Sequence, residues 1–168
     1  MNWIQEFLNN RLDKPNSLLA DLSNEIKKEI GKNTSNIIFQ DLENDSTMTL
    51  ENFKDQIVIL NLWSLSCSGC RMQIPELSKL HKEYYDEGLR VIFISKDNKN
   101  ALKKYFIENL IEGVKTNMDT SEIGNLKRPY QFFATPSSFL IDRTEIIQDA
   151  WLGPQNYVSL RSKISQYI

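Results

Sequence analysis

Two cysteines, Cys67 and Cys70, are the residues of this 168-residue chain whose types and spacing point most directly to chemistry. They are separated by two residues and follow an apolar run at residues 57–63. In such a C-x-x-C arrangement, one thiolate can attack a disulfide and the second can resolve the mixed disulfide that forms. A helix beginning beside the pair would lower the pKa of the first thiol through its dipole and free N–H groups. The spacing therefore predicts dithiol–disulfide exchange.

The sequence also allows interpretations in which the two cysteines take no part in redox chemistry. The two side chains could be buried apolar groups or a structural disulfide. A zinc site is a weaker alternative, because tetrahedral zinc needs four ligands and the chain supplies two cysteines and one histidine, His81. We expect His81 to be a surface residue rather than a ligand or a base, and we predict no metal site.

The composition narrows the class of protein. Apolar residues make up 40% of the chain and charged residues 25%, with a net charge of −2. These values are typical of a soluble globular domain, and they argue against nucleic acid as the main partner. No apolar run approaches the ~18 residues of a membrane span, so we predict no membrane-spanning segment.

The beginning of the chain bears on its location. Residues 1–8 lack the basic start of a signal peptide. The chain is therefore cytoplasmic, or it is a mature domain whose export segment is absent from this chain. We expect an extracytoplasmic location, in the periplasm or cell envelope, with the cytoplasm as the alternative.

The first 31 residues show helical spacing of apolar residues in two stretches, with a break at residues 15–17 and a stop at Gly31. The first stretch carries an apolar stripe of Trp3, Phe7 and Leu8. We expect this stripe to dock on its own domain. Residues 37–42 then indicate a short strand.

Strands and helices alternate farther along the chain. The run at residues 57–63 is nearly all apolar, which is typical of a strand buried on both faces. A helix that carries Cys70 follows and ends at Gly88, and residues 90–95 indicate the next strand.

The last third of the chain completes a βαβ–ββα order. Asp97 or Asn98 can cap a helix after the second of these strands. Residues 137–141 and 145–152 predict a β-hairpin, and Pro154 suits the first position of a final helix.

Short motifs lie around these elements. The first set comprises N-L-W at residues 61–63, C-S-G-C at residues 67–70, Arg71 and Pro75. The second set comprises T-P at residues 135–136, I-D at residues 141–142 and Gly153, and T-L-E-N-F-K at residues 49–54 is a lead-in. In these motifs the chain resembles the thioredoxin superfamily and, within it, the TlpA/ResA-like branch, over about residues 35–168.

The resemblance implies an α/β fold of the thioredoxin-like class, with a central mixed sheet flanked by helices. Residues 1–34 would be an N-terminal helical extension, and residues 35–168 the thioredoxin-like domain. The implied activity is thiol–disulfide exchange with protein substrates. An upstream redox partner would exchange electrons with the cysteine pair. The resemblance implies no bound cofactor, and we expect a monomer.

The resemblance also assigns roles to individual residues. Cys67 is the attacking thiol, and Cys70 is the resolving thiol. The substrate-binding residues are Thr135, Pro136 and Ser66, with Pro136 in the cis form, which is uncommon even for X–Pro bonds. The supporting residues are Trp63, Asn61 and Pro75.

Four positions depart from the family pattern. Ser66 stands where Trp is usual, Gly69 where Pro is usual, Gln73 where many members carry Glu, and Asn61 where thioredoxins carry a buried Asp. Neither Asn61 nor Gln73 titrates, so the usual internal bases are missing. We expect Gln73 and Glu76 to be surface residues.

Two other functions are possible alternatives. A peroxiredoxin-like peroxidase needs a P-x-x-x-T-x-x-C loop, but Leu60 and Ser64 occupy the proline and threonine places before Cys67. A non-enzymatic binding or metal-handling module, with a vestigial dithiol, is the second alternative.

Overall fold

A computed structural model describes residues 15–34, 37–118 and 134–168. The helices of this part are α1 (Pro15–Lys27), α2 (Ser68–Tyr84), α3 (Lys99–Glu108) and α4 (Tyr157–Ile164), with a 3-10 turn at Leu50–Phe53. The strands are β1 (Phe39–Asp41), β2 (Thr47–Met48), β3 (Ile57–Leu62), β4 (Leu89–Ser95), β5 (Val114–Asn117), β6 (Ser137–Ile141) and β7 (Ile147–Leu152). Within the described residues they form one mixed sheet in the order β2-β1-β5-β4-β3-β6-β7.

The strand before the cysteines, β3, is buried along its whole length. It pairs in parallel with β4 and antiparallel with β6. Successive side chains point to opposite faces, so Ile57 and Ile59 join one apolar cluster while Val58 and Leu60 join another. Because both faces of β3 are buried, the strand is held in place, and so is the start of the loop at its carboxyl end.

Helix α2 covers the face of the sheet to which Ile57 and Ile59 point. Its apolar stripe, Ile74, Leu77 and Leu80, is fully buried in the same cluster as Cys70. After Tyr84 the chain turns through Gly88 at φ +93° into β4, a backbone conformation that favours glycine. The first turn of α2 is therefore held against the carboxyl end of β3.

The segment after α1 runs beside β7 at the edge of the sheet. The Gly31 N–H donates to the Ile147 carbonyl over 2.7 Å, and the Ile147 N–H donates to the Lys32 carbonyl over 3.0 Å. The Thr34 N–H donates to the Glu145 carbonyl over 3.0 Å. Ile26 of α1 is buried in the core cluster on that side of the sheet. The second predicted helical stretch therefore packs on the sheet, whereas the Trp3, Phe7 and Leu8 stripe lies outside the described residues.

The order of elements agrees with the thioredoxin-like prediction, and of the two predicted candidates for the N-cap of α3 the structure has Asn98, but two other details differ. Strand β5, which pairs with both β1 and β4, is not predicted by the local sequence pattern. The final helix begins at Tyr157 with Asn156 as its N-cap, so Pro154 lies before the helix instead of at its first position. Asn98 caps α3, which leaves Asp97 free for another contact.

No helix among the described residues has the length and apolarity needed to cross a membrane.

Candidate active site

Cys67 and Cys70 form a disulfide at the amino-terminal end of α2, with their Cα atoms 5.3 Å apart. Cys67 is the N-cap residue of the helix, and its Sγ accepts a hydrogen bond from the Cys70 N–H over 3.1 Å. Cys67 is partly exposed, whereas Cys70 is fully buried. In the reduced state the same N–H group and the helix dipole favour a thiolate at Cys67, and burial disfavours one at Cys70.

The loop between β3 and α2 is fixed at both ends by backbone hydrogen bonds. The Trp63 N–H donates to the Ile94 carbonyl over 3.0 Å, which continues the pairing of β3 with β4. The Cys67 N–H donates to the Ser64 carbonyl over 3.1 Å. Ser66 is exposed at the outside of this turn, and its Oγ lies 3.1 Å from Ser64 Oγ.

The Thr135–Pro136 segment lies against the disulfide. Because β6 runs antiparallel to β3, with Ser137 opposite Leu62, the residues before β6 meet the chain that leaves β3. The Thr135–Pro136 peptide bond is cis, the isomer expected from the resemblance. The Thr135 carbonyl oxygen is 3.4 Å from Cys67 Sγ. A disulfide sulfur carries no proton, so this is a contact in the oxidised form, and a reduced Cys67 thiol can donate there.

Gly69 packs between two prolines beside the cysteines. A Cβ at this position would lie 3.5 Å from Pro154 Cδ and 3.6 Å from Pro136 Cδ. The Gly153 N–H donates to the Pro136 carbonyl over 2.9 Å. The start of α2, the segment before β6 and the segment after β7 therefore meet at one place.

Asn61 and Trp63 lie beneath the cysteines, on the face of β3 that α2 covers. Both are fully buried. Asn61 Nδ2 donates to Ser138 Oγ over 2.9 Å, and the Trp63 ring contacts Tyr105 and Phe106, with centroid distances of 5.1 and 5.4 Å. Within the described part of the chain, Asn61 Oδ1 and Trp63 Nε1 are buried without a hydrogen-bond partner.

Gln73 and His81 are buried, so the prediction that they lie at the surface is wrong. The Gln73 amide lies between two groups at the β7 end of the sheet. With its oxygen and nitrogen assigned so that both are paired, it donates to the Gly153 carbonyl over 3.2 Å and accepts from Trp151 Nε1 over 3.3 Å. His81 Nδ1 accepts from the Val91 N–H over 3.0 Å. These two polar side chains can be buried on the sheet side of α2 because each has a hydrogen-bond partner there.

Burial, and to a smaller extent the nearby Arg90 guanidinium, lowers the pKa of His81 from 6.5 to about 4. His81 is therefore neutral near pH 7, with Nδ1 committed to a backbone N–H. Among the residues that the structure describes, no group of three or more histidine, cysteine or acidic side chains is placed to hold a metal ion.

The structure thus brings Cys67, Cys70, Thr135 and Pro136 together, with Trp63 and Asn61 below them. Pro75 is an exposed residue inside α2. Sequence reasoning missed one group, the Asp97 carboxylate, which accepts from the Leu65 N–H over 2.7 Å. The signal that could have found it is its position after β4, because parallel neighbours such as β3 and β4 end at the same edge of the sheet.

Comparison with known proteins agrees with this geometry. Residues 30–150 match the model of the AhpC/TSA family. The chain is 30% identical over 128 residues to the thiol-disulfide oxidoreductase ResA of Bacillus cereus, which covers 76% of this chain and 72% of that protein. It is also 30% identical over 126 residues to ResA of Bacillus thuringiensis, covering 74% of this chain and 71% of the relative.

Solved structures show the same fold. The crystal structure of the thioredoxin domain of a thiol-disulfide oxidoreductase from Bacteroides vulgatus superposes with a TM-score of 0.72 at 21% identity, over 80% of this chain and 96% of that one. The solution structure of a thiol:disulfide interchange protein from Bacteroides sp. gives a TM-score of 0.73 at 20% identity, over 82% of this chain and 90% of that one. The chain belongs to the AhpC/TSA family and, within the thioredoxin superfamily, to the ResA-like thiol-disulfide oxidoreductases.

Proposed function

We propose that this protein exchanges disulfides with protein substrates, with Cys67 as the attacking thiol and Cys70 as the resolving thiol. The observation that carries the proposal is the unequal placement of the two sulfurs. Cys67 is partly exposed at the helix N-cap, whereas Cys70 is completely buried behind it. A substrate disulfide can therefore approach Cys67, and Cys70 is reserved for the second step.

In the reducing direction, the Cys67 thiolate attacks one sulfur of a substrate disulfide. The bond between the two substrate sulfurs breaks, a Cys67–substrate mixed disulfide forms, and the leaving substrate thiolate takes a proton. Cys70 then loses its proton and attacks Cys67 Sγ. The second substrate sulfur leaves as a thiolate and takes a proton. The Cys67–Cys70 disulfide that forms persists until an upstream redox partner reduces it with two electrons. Oxidation of a substrate is the same sequence reversed.

The remaining site residues have binding and supporting roles in this proposal. Thr135 and Pro136 border Cys67 and would contact the substrate backbone, and Ser66 is exposed at the rim. Trp63 and Asn61 support the loop from below, and Pro75 shapes α2. No cofactor takes part in these steps.

The wider setting is also a proposal. Residues 35–168 would be the exchange domain and residues 1–34 its N-terminal extension, acting as a monomer. We propose an extracytoplasmic location, as the resemblance to ResA-like proteins suggests. Fusion of the protein, encoded with the native upstream sequence, to a reporter active only outside the cytoplasm tests the location, and a silent reporter would favour the cytoplasm.

Reduction of insulin disulfides with dithiothreitol as electron donor tests the activity. We expect the wild-type protein to accelerate precipitation of the insulin B chain, and both Cys67→Ser and Cys70→Ser to abolish turnover. When the reduced variants are mixed with insulin after dithiothreitol has been removed, only Cys70→Ser should accumulate a mixed disulfide with the substrate. Consumption of peroxide with rapid hyperoxidation of Cys67 would instead indicate a peroxidase. Stoichiometric metal binding without insulin turnover would indicate the non-enzymatic alternative.

A further inference from the structure

The loop that presents Cys67 is tied to the neighbouring strand by one carboxylate. Asp97 follows β4, and its Oδ2 accepts from the Leu65 N–H over 2.7 Å and from the Ser95 hydroxyl over 2.9 Å. Leu65 is two residues before Cys67, in a stretch without regular secondary structure. The bond therefore restrains the part of the loop that strand pairing does not reach.

Asp97 is itself held from two sides. Its backbone N–H donates to Ser95 Oγ over 3.2 Å. Asn117, at the end of β5, donates from Nδ2 to the Asp97 carbonyl over 2.8 Å and to the Ser95 carbonyl over 2.9 Å. The backbone of Asp97 is consequently anchored to both β4 and β5, which fixes the position from which its carboxylate reaches the loop. A hydrogen bond to an ionised acceptor is also stronger than one between neutral groups.

We infer that Asp97 is a positioning residue for the dithiol, acting through the Leu65 N–H to hold Cys67 where Cys70 can reach it. This inference rests on the proposed function. Closing the disulfide is an intramolecular reaction, so its equilibrium depends on the effective concentration of one thiol at the other. A loop held in place raises that concentration and stabilises the disulfide relative to the dithiol.

The glutathione equilibrium measures this effect directly. The protein disulfide takes two electrons and two protons from two molecules of reduced glutathione, which gives the Cys67/Cys70 dithiol and oxidised glutathione. For Asp97→Ala we expect the equilibrium constant for disulfide formation to fall about tenfold, a shift of about 30 mV to a less negative potential. The Leu65 amide should also exchange its hydrogen faster.

The adjacent Asn98 provides a matched control. Its side chain caps α3 by accepting from the Asn100 and Ala101 N–H groups over 3.0 and 3.2 Å, and Asn98→Ala removes that cap without touching the dithiol loop. We expect this variant to lose stability and keep the wild-type potential. Asp97→Asn retains an acceptor for the Leu65 N–H and should restore most of the potential.

Each outcome decides the inference. A wild-type potential in Asp97→Ala, or equal shifts in Asp97→Ala and Asn98→Ala, would overturn it. If Asp97→Ala does not fold, Ser95→Ala removes one of the hydrogen bonds to the carboxylate and should lower the constant about threefold, or about 15 mV; no shift there contradicts the inference. Failure of the wild-type pair to equilibrate with glutathione would instead count against the proposed function.

Discussion

Gln73 and Gly153 lie in contact between α2 and the end of β7. With the Gln73 amide assigned so that its oxygen faces the Trp151 indole, its nitrogen donates to the Gly153 carbonyl over 3.2 Å. The Gly153 N–H in turn donates to the Pro136 carbonyl over 2.9 Å. A continuous set of hydrogen bonds therefore connects the helix that carries Cys70 to the segment that borders Cys67. An amide can both donate to Gly153 and accept from Trp151, which an ionised carboxylate cannot do.

Gln73→Glu should therefore be destabilising in a pH-dependent way. Gln73 is fully buried, so burial would raise the pKa of a carboxyl placed there above that of an unfolded glutamate. The variant should approach wild-type stability at pH 4 and lose about 1–3 kcal/mol as the pH rises to 7, because the unfolded chain ionises first. Urea denaturation across this range is the measurement. Gln73→Met removes the hydrogen bonds without adding a charge, and its loss should not depend on pH.

The same substitution should change the ionisation of the attacking thiol. In a Cys70→Ser background, thiolate absorbance should rise in one step for the protein that retains Gln73. This step should lie below pH ~8.5, the reference for a free cysteine. Gln73→Glu should move the step to higher pH and add a second ionisation through like-charge repulsion. Two coupled steps in the protein that retains Gln73 would mean that another residue acts as the base.

The two cysteines should differ in reactivity as they differ in exposure. A limiting amount of iodoacetamide should label Cys67 of the reduced protein before Cys70, because Cys70 is 0% exposed. Both cysteines lie in the tryptic peptide of residues 55–71, so fragment ions from tandem mass spectrometry give the ratio, and we expect at least about tenfold preference given the thiolate dependence of alkylation. Preferential labelling of Cys70 would reverse the proposed roles.

The fold should lose stability between pH 6.5 and 4 through His81. Its pKa is lowered from 6.5 to about 4 by burial and by Arg90 and Lys115, with Glu112 opposing them. The unfolded chain therefore binds more protons in this range, and stability that is complete above pH 6.5 falls by about 3 kcal/mol as the pH drops through 4. His81 is the one histidine of the chain, so its imidazole NMR signals report the titration directly. His81→Gln should flatten this pH dependence, and an imidazole titrating near 6.5 would contradict the account.

Gly69 and Gly113 should respond oppositely to alanine. At Gly69 a Cβ would make ordinary contacts with Pro136 and Pro154, and the lower backbone entropy of alanine in the unfolded chain should add about 0.5 kcal/mol to the free energy of unfolding. At Gly113, φ is +137° and a Cβ would lie 2.6 Å from Phe93 Cε2. Gly113→Ala should therefore lose roughly 1–3 kcal/mol. Denaturant titration of both variants against the wild-type protein tests the pair, and a stabilised Gly113→Ala would contradict the structure.

The sequence was sufficient for those parts of the fold that depend on local pattern. The apolar run of β3, the cysteines at the start of α2 and the β6–β7 hairpin each follow from neighbouring residues. In contrast, β5 has the short sequence V-K-T-N, with one strongly apolar residue. Its strand conformation comes from pairing with β1 and β4, which are distant in the chain, and such context outweighs local propensity.

The candidate site divides in the same way. The cysteines and the Thr135–Pro136 segment could be predicted from their motifs. The burial of Gln73 and His81 could not, because a polar residue on a helix is unremarkable until its partner is known. Those partners, the Trp151 indole and the Val91 N–H, come from strands that meet α2 only in the folded protein.

The contacts of residues 31–34 with β7 have a consequence for self-association. An edge strand with unpaired N–H and C=O groups can pair with a strand from another molecule, which is a route to aggregation. At this edge of the sheet, the backbone of Gly31, Lys32 and Thr34 forms hydrogen bonds with the backbone of Glu145 and Ile147. Removing the chain up to residue 34 would uncover these groups, so the truncated protein should form strand-paired aggregates more readily than the full chain.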